Sequence, residues 1–268
     1  MIITLDKRIM RIGIFYKEKN KPVADIILKY ISDYGFEYDN VKPDVVFSVG
    51  GDGTFLRTIH AYIDQVDHVQ FVGVNSGSLG FLYDFSKEDI PVIFEMLKHN
   101  SCSAKQHGLL KGVATYRYGV EEIYAVNEIR IENPFRTLIS KVLINDEELE
   151  TFRGNGLIVS SPLGSSAYNK SLGGAFIDHD LEVLELTEVA GVSNRVNRSL
   201  NSSVVLSGDK KISFVGEMNK AVLGYDHLVI NNDDELLSVE ISYSDKKVSL
   251  ICNEKESYVQ KIRKSFVL

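Results

Sequence analysis

The run Val45-Val46-Phe47-Ser48-Val49-Gly50-Gly51-Asp52-Gly53-Thr54-Phe55-Leu56-Arg57 holds the residues of this chain best suited to chemistry. An apolar, β-branched stretch enters three glycines with an aspartate among them, and an amphipathic segment follows. That order specifies a buried strand, a tight turn and a helix start. Glycines let the backbone approach a ligand closely, and the N–H groups of a helix start attract anions. A phosphate-bearing ligand fits. The Asp52 carboxylate is unfavourable beside such a cradle unless it accepts a proton, holds a metal or binds a sugar hydroxyl. The combination points to phosphoryl transfer onto a hydroxyl group. A Walker A loop is excluded because the turn lacks the required lysine, and a dinucleotide fingerprint because Leu56 stands where its third glycine belongs.

A second glycine-rich stretch runs from Arg153-Gly154-Asn155-Gly156 to Ser160-Ser161-Pro162-Leu163-Gly164-Ser165-Ser166-Ala167-Tyr168-Asn169-Lys170-Ser171-Leu172-Gly173-Gly174. Alone it reads as a polar loop between strands. Paired with the upstream turn, its hydroxyls, small residues and tyrosine suit a nucleoside.

The elements that must position these residues change character near residue 105. Before it, strands at Arg11–Tyr16, Val45–Val49 and Val69–Val74 alternate with helices at Pro22–Tyr34, Phe55–Ile63 and from a Ser86–Asp89 capping box to His99. This spacing predicts an α/β domain over 1–104 with a parallel sheet, whose ligands sit beyond the carboxyl ends of the strands. Both Gly50–Thr54 and Asn75–Phe81 fall at that edge. Beyond it, the segments Ile123–Ile131, Leu138–Ile144, Leu157–Ser160, Lys211–Val215, Ser238–Tyr243 and Val248–Cys252 read as strands of a mostly antiparallel, sandwich-like β-rich domain over 105–252. Leu181–Val189 reads as a helix within it. The amphipathic tail within 253–268 is expected to return to the first domain.

Composition narrows the class. With 44% hydrophobic and 25% charged residues the chain is of the globular type, and its net charge of −7 argues against nucleic-acid binding. A polyanionic ligand must then meet local donors. Two cysteines, Cys102 and Cys252, offer no disulfide framework, and charges at Asp6, Lys7 and Arg8 interrupt any signal-like apolar core. No apolar run is long enough to cross a bilayer. A cytoplasmic protein without membrane or nucleic-acid partners is expected. The histidines lack metal-ligand spacing, so no structural metal is expected.

Gly50-Gly51-Asp52-Gly53-Thr54, Asn127-Glu128 and Gly164-Ser165-Ser166-Ala167-Tyr168-Asn169-Lys170-Ser171 together resemble the bacterial NAD kinases, most of all those of Gram-positive bacteria. The resemblance covers about Arg11 to His227. The first motif alone is shared with diacylglycerol- and sphingosine-type lipid kinases and, more loosely, with phosphofructokinases. The resemblance implies an N-terminal α/β domain, a C-terminal β-rich domain and a homo-oligomer, usually a tetramer. It also implies transfer of the ATP γ-phosphate to the 2′-hydroxyl of the adenosine ribose of NAD, with Mg²⁺ carried by ATP.

The residue reading makes Asp52 the base for that hydroxyl, with Gly51, Gly53 and Thr54 around the phosphates. The resemblance adds Arg57 facing the ligand, Asn127 at the adenine end of NAD and Glu128 near the ribose. Asn127 and Glu128 are expected in one alternating strand, pointing to opposite faces. Tyr168 would stack on a base, with Ser166, Ala167 and Ser171 lining the pocket and Asn169 and Lys170 within the same motif. Phe81, Ala190, Val192 and His227 match family pocket positions less closely, and a structural hydrogen bond is the stronger reading of His227. At Arg153-Gly154-Asn155-Gly156 the family commonly has aspartate where Asn155 stands, a position associated with the carboxamide end of the dinucleotide. Asparagine keeps an acceptor and loses the charge, so altered binding strength is expected, with the chemical step intact. The alternatives are a lipid kinase, which the absence of a basic amphipathic helix disfavours, and a non-catalytic dinucleotide sensor, which would not need Asp52.

Overall fold

The computed structural model describes residues 9–77, 80–216, 218, 220–230, 235–253 and 257–267. Two compact units emerge, one of residues up to His107 together with those from Lys247 onward, the other of Gly108–Lys246.

In the first unit, β1 (Arg11–Tyr16), α1 (Lys21–Asp33), β2 (Glu37–Tyr38), β3 (Val45–Gly50), α2 (Asp52–Ala61), β4 (Gln70–Asn75), β5 (Phe85–Ser86) and α3 (Ile90–Lys98) follow one another. Strands β2, β1, β3 and β4 pair in that order, all parallel, as strand–helix alternation requires. The β3 strand is buried throughout because both its faces are covered. Phe47 and Val49 pack with Ile27 and Ile31 of α1 and Ile93 and Phe94 of α3 in one apolar cluster. Ser86 and Asp89 close the expected capping box, but through a 3₁₀ turn at Lys87–Asp89 that precedes α3. The α2 helix starts at Asp52 rather than Phe55, so the aspartate sits in its first turn.

In the second unit the strands are β6 (Ala104–Tyr116, entering from the first unit), β7 (Val120–Ala125), β8 (Glu128–Glu132), β9 (Leu138–Ile144), β10 (Glu147–Gly154) and β11 (Gly156–Ser160). After the short helix α4 (Tyr168–Ser171) come β12 (Val183–Val189), β13 (Val204–Ser207), β14 (Ile212–Val215), β15 (Val222–Tyr225), β16 (Leu228–Ile230) and β17 (Leu236–Ile251). One antiparallel sheet runs β13-β12-β11-β8-β15-β16, and β10-β9-β14-β17 forms the other, with β6 and β7 as a hairpin. Ile129, Leu157 and Leu186 from the first meet Val142, Phe214 and Val239 from the second in one core, which makes the unit a β-sandwich. The chain re-enters the first unit at Lys247, pairs Ser249 and Leu250 beside β4, and ends in α5 (Tyr258–Ile262) and a π-helical turn at Arg263–Val267.

Three expectations are corrected. Leu181–Val189 is no helix: β12 occupies Val183–Val189 between β11 and β13. Leu184 and Leu186 face the apolar core while Glu185 and Thr187, also buried, bond Asn169 on the other side, so packing on both faces overrides the helix preference of Leu and Glu. Ser238–Tyr243 and Val248–Cys252 are parts of one strand, β17. Ile123–Ile131 is two strands, broken at Val126–Asn127.

Candidate active site

In the first unit, the glycine turn is held open from below. The Tyr83 hydroxyl donates to the Gly51 carbonyl at 3.1 Å and lies 3.3 Å from Ser48 Oγ, which accepts from Thr58 at 2.8 Å. No side chain caps α2, whose N-cap residue is Gly51, while the Thr54 N–H turns back to the Gly51 carbonyl at 2.6 Å. Above the turn lies a cavity of about 630 Å³ lined by Lys17, Lys19, Asn20, Gly50–Thr54, Ser76 and Gly77. Gly53 is exposed, with open space where a Cβ would stand. Thr54 is buried, and Arg57 is exposed further along α2, outside the cavity lining.

Lys17, Lys19 and Asn20 have no place in the sequence reading. They form the loop after β1, so the rule that ligands gather at the carboxyl edge of a parallel sheet reaches them as well. Asn20 is buried and donates to the Val49 carbonyl at 3.0 Å, which ties that loop to the end of β3. The two exposed lysines give an acidic protein a local cationic rim.

Asp52 is oriented through its two oxygens. Oδ2 accepts the Phe81 N–H at 2.9 Å and Oδ1 the Leu82 N–H at 3.0 Å. A Cβ on Gly80 would lie 2.6 Å from Oδ1, so the loop needs glycine for this approach. Burial pushes the Asp52 carboxyl above its ordinary value, against the pull of the two N–H groups and the Lys261 ammonium. Phe81 therefore serves Asp52 through its backbone, while its buried ring packs on Tyr258 and Phe266.

In the second unit, Asp226 organises the break between β7 and β8. Its buried carboxylate accepts the N–H groups of Val126 at 2.8 Å and Asn127 at 2.7 Å, and lies 3.4 Å from that of Glu128. These bonds pull the chain out of the ladder, which is why Asn127 and Glu128 do not alternate in one strand. The carbonyl side is gripped too. The Ser161 N–H donates to the Asn127 carbonyl at 2.8 Å, and a Cβ on Gly164 would stand 2.1 Å from that oxygen. Asn127 Oδ1 is buried without a hydrogen-bond partner among the described residues, as is Glu128 Oε2. The other Glu128 oxygen accepts from Arg130 at 3.2 Å. Burial, then Asp226, pushes Glu128 up to about 8 despite Arg130. Buried polar groups without a partner are uncommon in folded proteins.

Tyr168 is clamped beside them. Its hydroxyl donates to Glu132 at 2.7 Å, and the Arg130 guanidinium stands 5.7 Å from its ring centroid. Burial and Glu132 push its phenol up to about 12. Ser166 and Ala167 are half-buried next to it, and Ser171 is exposed. Asn169 departs from expectation. It is fully buried, donating to Glu185 at 2.6 Å and accepting from Thr187 at 2.7 Å, so it fastens the loop to β12 instead of lining a pocket. Lys170 lies 5.8 Å from the Phe176 ring centroid. His227 shares with Asp226 the turn between β15 and β16.

Arg153, Asn155, Ala190 and Val192 come together at a third place. The Val192 N–H donates to the Arg153 carbonyl at 2.7 Å and the Asn155 N–H to the Val189 carbonyl at 2.9 Å, with Ala190 in a left-handed conformation at φ 47°. The Asn155 side-chain amide donates to the Asn133 carbonyl at 3.1 Å. Aspartate has no donor for that bond.

Residues 10–101 match the ATP-NAD kinase N-terminal domain and residues 126–253 the ATP-NAD kinase C-terminal domain. The chain belongs to the ATP-NAD kinase family. Among similar NAD kinases, NAD kinase 1 of Bacillus cereus is 34% identical over 254 residues, 93% of this chain and 95% of its own length. The NAD kinase of Limosilactobacillus reuteri is 34% identical over 96% of this chain and 98% of its own. That of Lactobacillus gasseri is 37% identical over 84% and 83%. The fold of the NAD kinases is also that of two solved structures. Yeast NADH kinase complexed with NADH superposes with a TM-score of 0.84 at 15% identity, covering 96% of this chain and 87% of that one. An NAD kinase from Archaeoglobus fulgidus in complex with ATP gives 0.77 at 21%, covering 96% and 97%.

Proposed function

We propose that this NAD kinase transfers the γ-phosphoryl group of ATP to the 2′-hydroxyl of the adenosine ribose of NAD, with Asp52 accepting the hydroxyl proton. A new O–P bond forms at the ribose, the bond to the β-phosphate oxygen breaks, and ADP leaves. The observation that carries this reading is that Asp52, whose two oxygens are fixed by the Phe81 and Leu82 N–H groups, lines the glycine-turn cavity. Burial raises its pKa and so makes it a stronger base than a solvated aspartate.

The triphosphate would lie on the Gly51–Thr54 backbone with Lys17 and Lys19 at its rim, since phosphoryl transfer depends on positioning and neutralisation. Asn127, Glu128 and Tyr168 would receive the adenosine half of NAD, with the orphaned Asn127 Oδ1 supplying an acceptor. Ser166, Ala167 and Ser171, with Ala190, Val192 and His227, complete the binding residues, and Arg153 and Asn155 take the carboxamide end. Arg57 would reach the phosphates from α2. The NADH and ATP in the two solved relatives are ligands of the same classes.

Among the described residues no three His, Cys, Asp or Glu side chains gather to hold a cation. Mg²⁺ would be held by triphosphate oxygens, the hard ligands it prefers, where it would neutralise charge on the transferred group. A cytoplasmic location and a homo-oligomer, expected as a tetramer, belong to the same reading.

The test is to incubate the purified protein with NAD, ATP and Mg²⁺ and read NADP with an NADP-specific dehydrogenase, which reports the 2′ position as well as the transfer. NADP is expected. A folded protein that binds NAD and forms none would favour a dinucleotide sensor.

A further inference from the structure

The loop that aims Asp52 is fastened by the C-terminal segment. The Phe81 ring meets Tyr258 edge-on at 5.9 Å between centroids and lies tilted against Phe266 at 5.8 Å. Lys261 Nζ stands 3.4 Å from the Phe81 carbonyl oxygen and pairs with the Asp84 carboxylate, whose other oxygen accepts the Asn253 N–H at 3.1 Å. The Lys261 and Asp84 side chains are only 14% and 11% exposed, so removing one partner leaves a poorly solvated charge. Phe81 is thereby bonded on both sides: its N–H goes to Asp52 and its carbonyl to the tail. A cavity of about 430 Å³ borders the pair, lined by Tyr83, Asp84, Gln260, Lys261 and Lys264 among others. These contacts join the loop to the tail from the side of that cavity.

We propose that Lys261 is a positioning residue for phosphoryl transfer, holding the Phe81–Leu82 N–H pair that aims Asp52. This rests on Asp52 being the base. The ammonium also favours the ionised carboxylate, and the Tyr83 phenol interacts with Asp52 as well. Losing Lys261 therefore lets burial push the Asp52 carboxyl further up.

In the full chain, Lys261→Met, which keeps the apolar stem, is expected to lower kcat about 10- to 100-fold, the scale of a misplaced reacting group. The KM for NAD should stay within about twofold. The acid limb of the kcat–pH profile should move to higher pH, and the Phe81 and Leu82 amides should exchange hydrogen faster. Lys261→Arg should recover most of each change. Asp52→Asn is assayed alongside. Normal kcat, acid limb and exchange in Lys261→Met beside an inactive Asp52→Asn would overturn this proposal alone. Near-normal turnover in Asp52→Asn would overturn the base reading and the proposal with it. If Lys261→Met does not fold, Asp84→Asn takes away the carboxylate that holds the Lys261 ammonium against the loop. Faster exchange at Phe81 and Leu82 with lower kcat would support the proposal, and unchanged exchange and kcat would overturn it.

Discussion

At Asp52, burial outweighs two backbone N–H groups and a nearby ammonium, so the carboxyl titrates above its ordinary value. A base must be ionised to accept a proton. Turnover should therefore fall as pH drops through this raised pKa, with an acid limb above that of a solvated aspartate, which a kcat–pH profile measures. Glu128 makes the converse prediction for stability. Its carboxyl rises from 4.5 to about 8 on folding, so the folded state binds the proton more tightly. That contribution is full below the unfolded value and is lost as pH rises towards the folded one. Glu128→Gln removes the dependence, so the stability of wild type relative to the variant should decline between those values by on the order of a few kcal/mol, read by urea unfolding at several pH values. Asp52 was legible in the sequence because glycines flank it. Asp226 was not, because the N–H groups it binds lie 98 to 100 residues away.

Among the elements, β1, β3 and β4 were readable because each is an apolar, β-branched run bounded by turn residues. The β12 strand was not, because its alternation is hidden by burial on both faces and only its neighbours β11 and β13 decide its form. The junction between β7 and β8 was misread for the same reason: a carboxylate in another turn breaks an alternation that local sequence continues. Two substitutions test these elements. Leu186→Ala should cost ~2–5 kcal/mol in chemical unfolding, as expected for a large-to-small change in a strand core. Gly164→Ala puts a methyl 2.1 Å from the Asn127 carbonyl oxygen. It should raise the KM for NAD while costing about 1–3 kcal/mol, since backbone has to give way. A loss of stability without any change in KM would detach Asn127 from NAD binding.

For the whole molecule, a net charge of −7 repels nucleotides at long range. Lys17 and Lys19 at the cavity rim are the local answer, and their joint replacement by alanine should raise the KM for ATP and flatten its dependence on salt. The change from α/β to β-rich texture was plain in the sequence because hydrophobic period reports it directly. What the period cannot report is which residues end beside the turn: Lys17, Lys19 and Lys261 lie far from Asp52 in sequence, and only the parallel sheet and returning tail gather them in the first unit.

The central claim is that Asp52 takes the 2′-hydroxyl proton. Its most direct test is kcat for NADP formation in Asp52→Asn beside wild type, with NAD binding followed by calorimetry. The account predicts a loss of about 10²- to 10⁴-fold in kcat with NAD still bound. Near-normal turnover in the folded variant would contradict it.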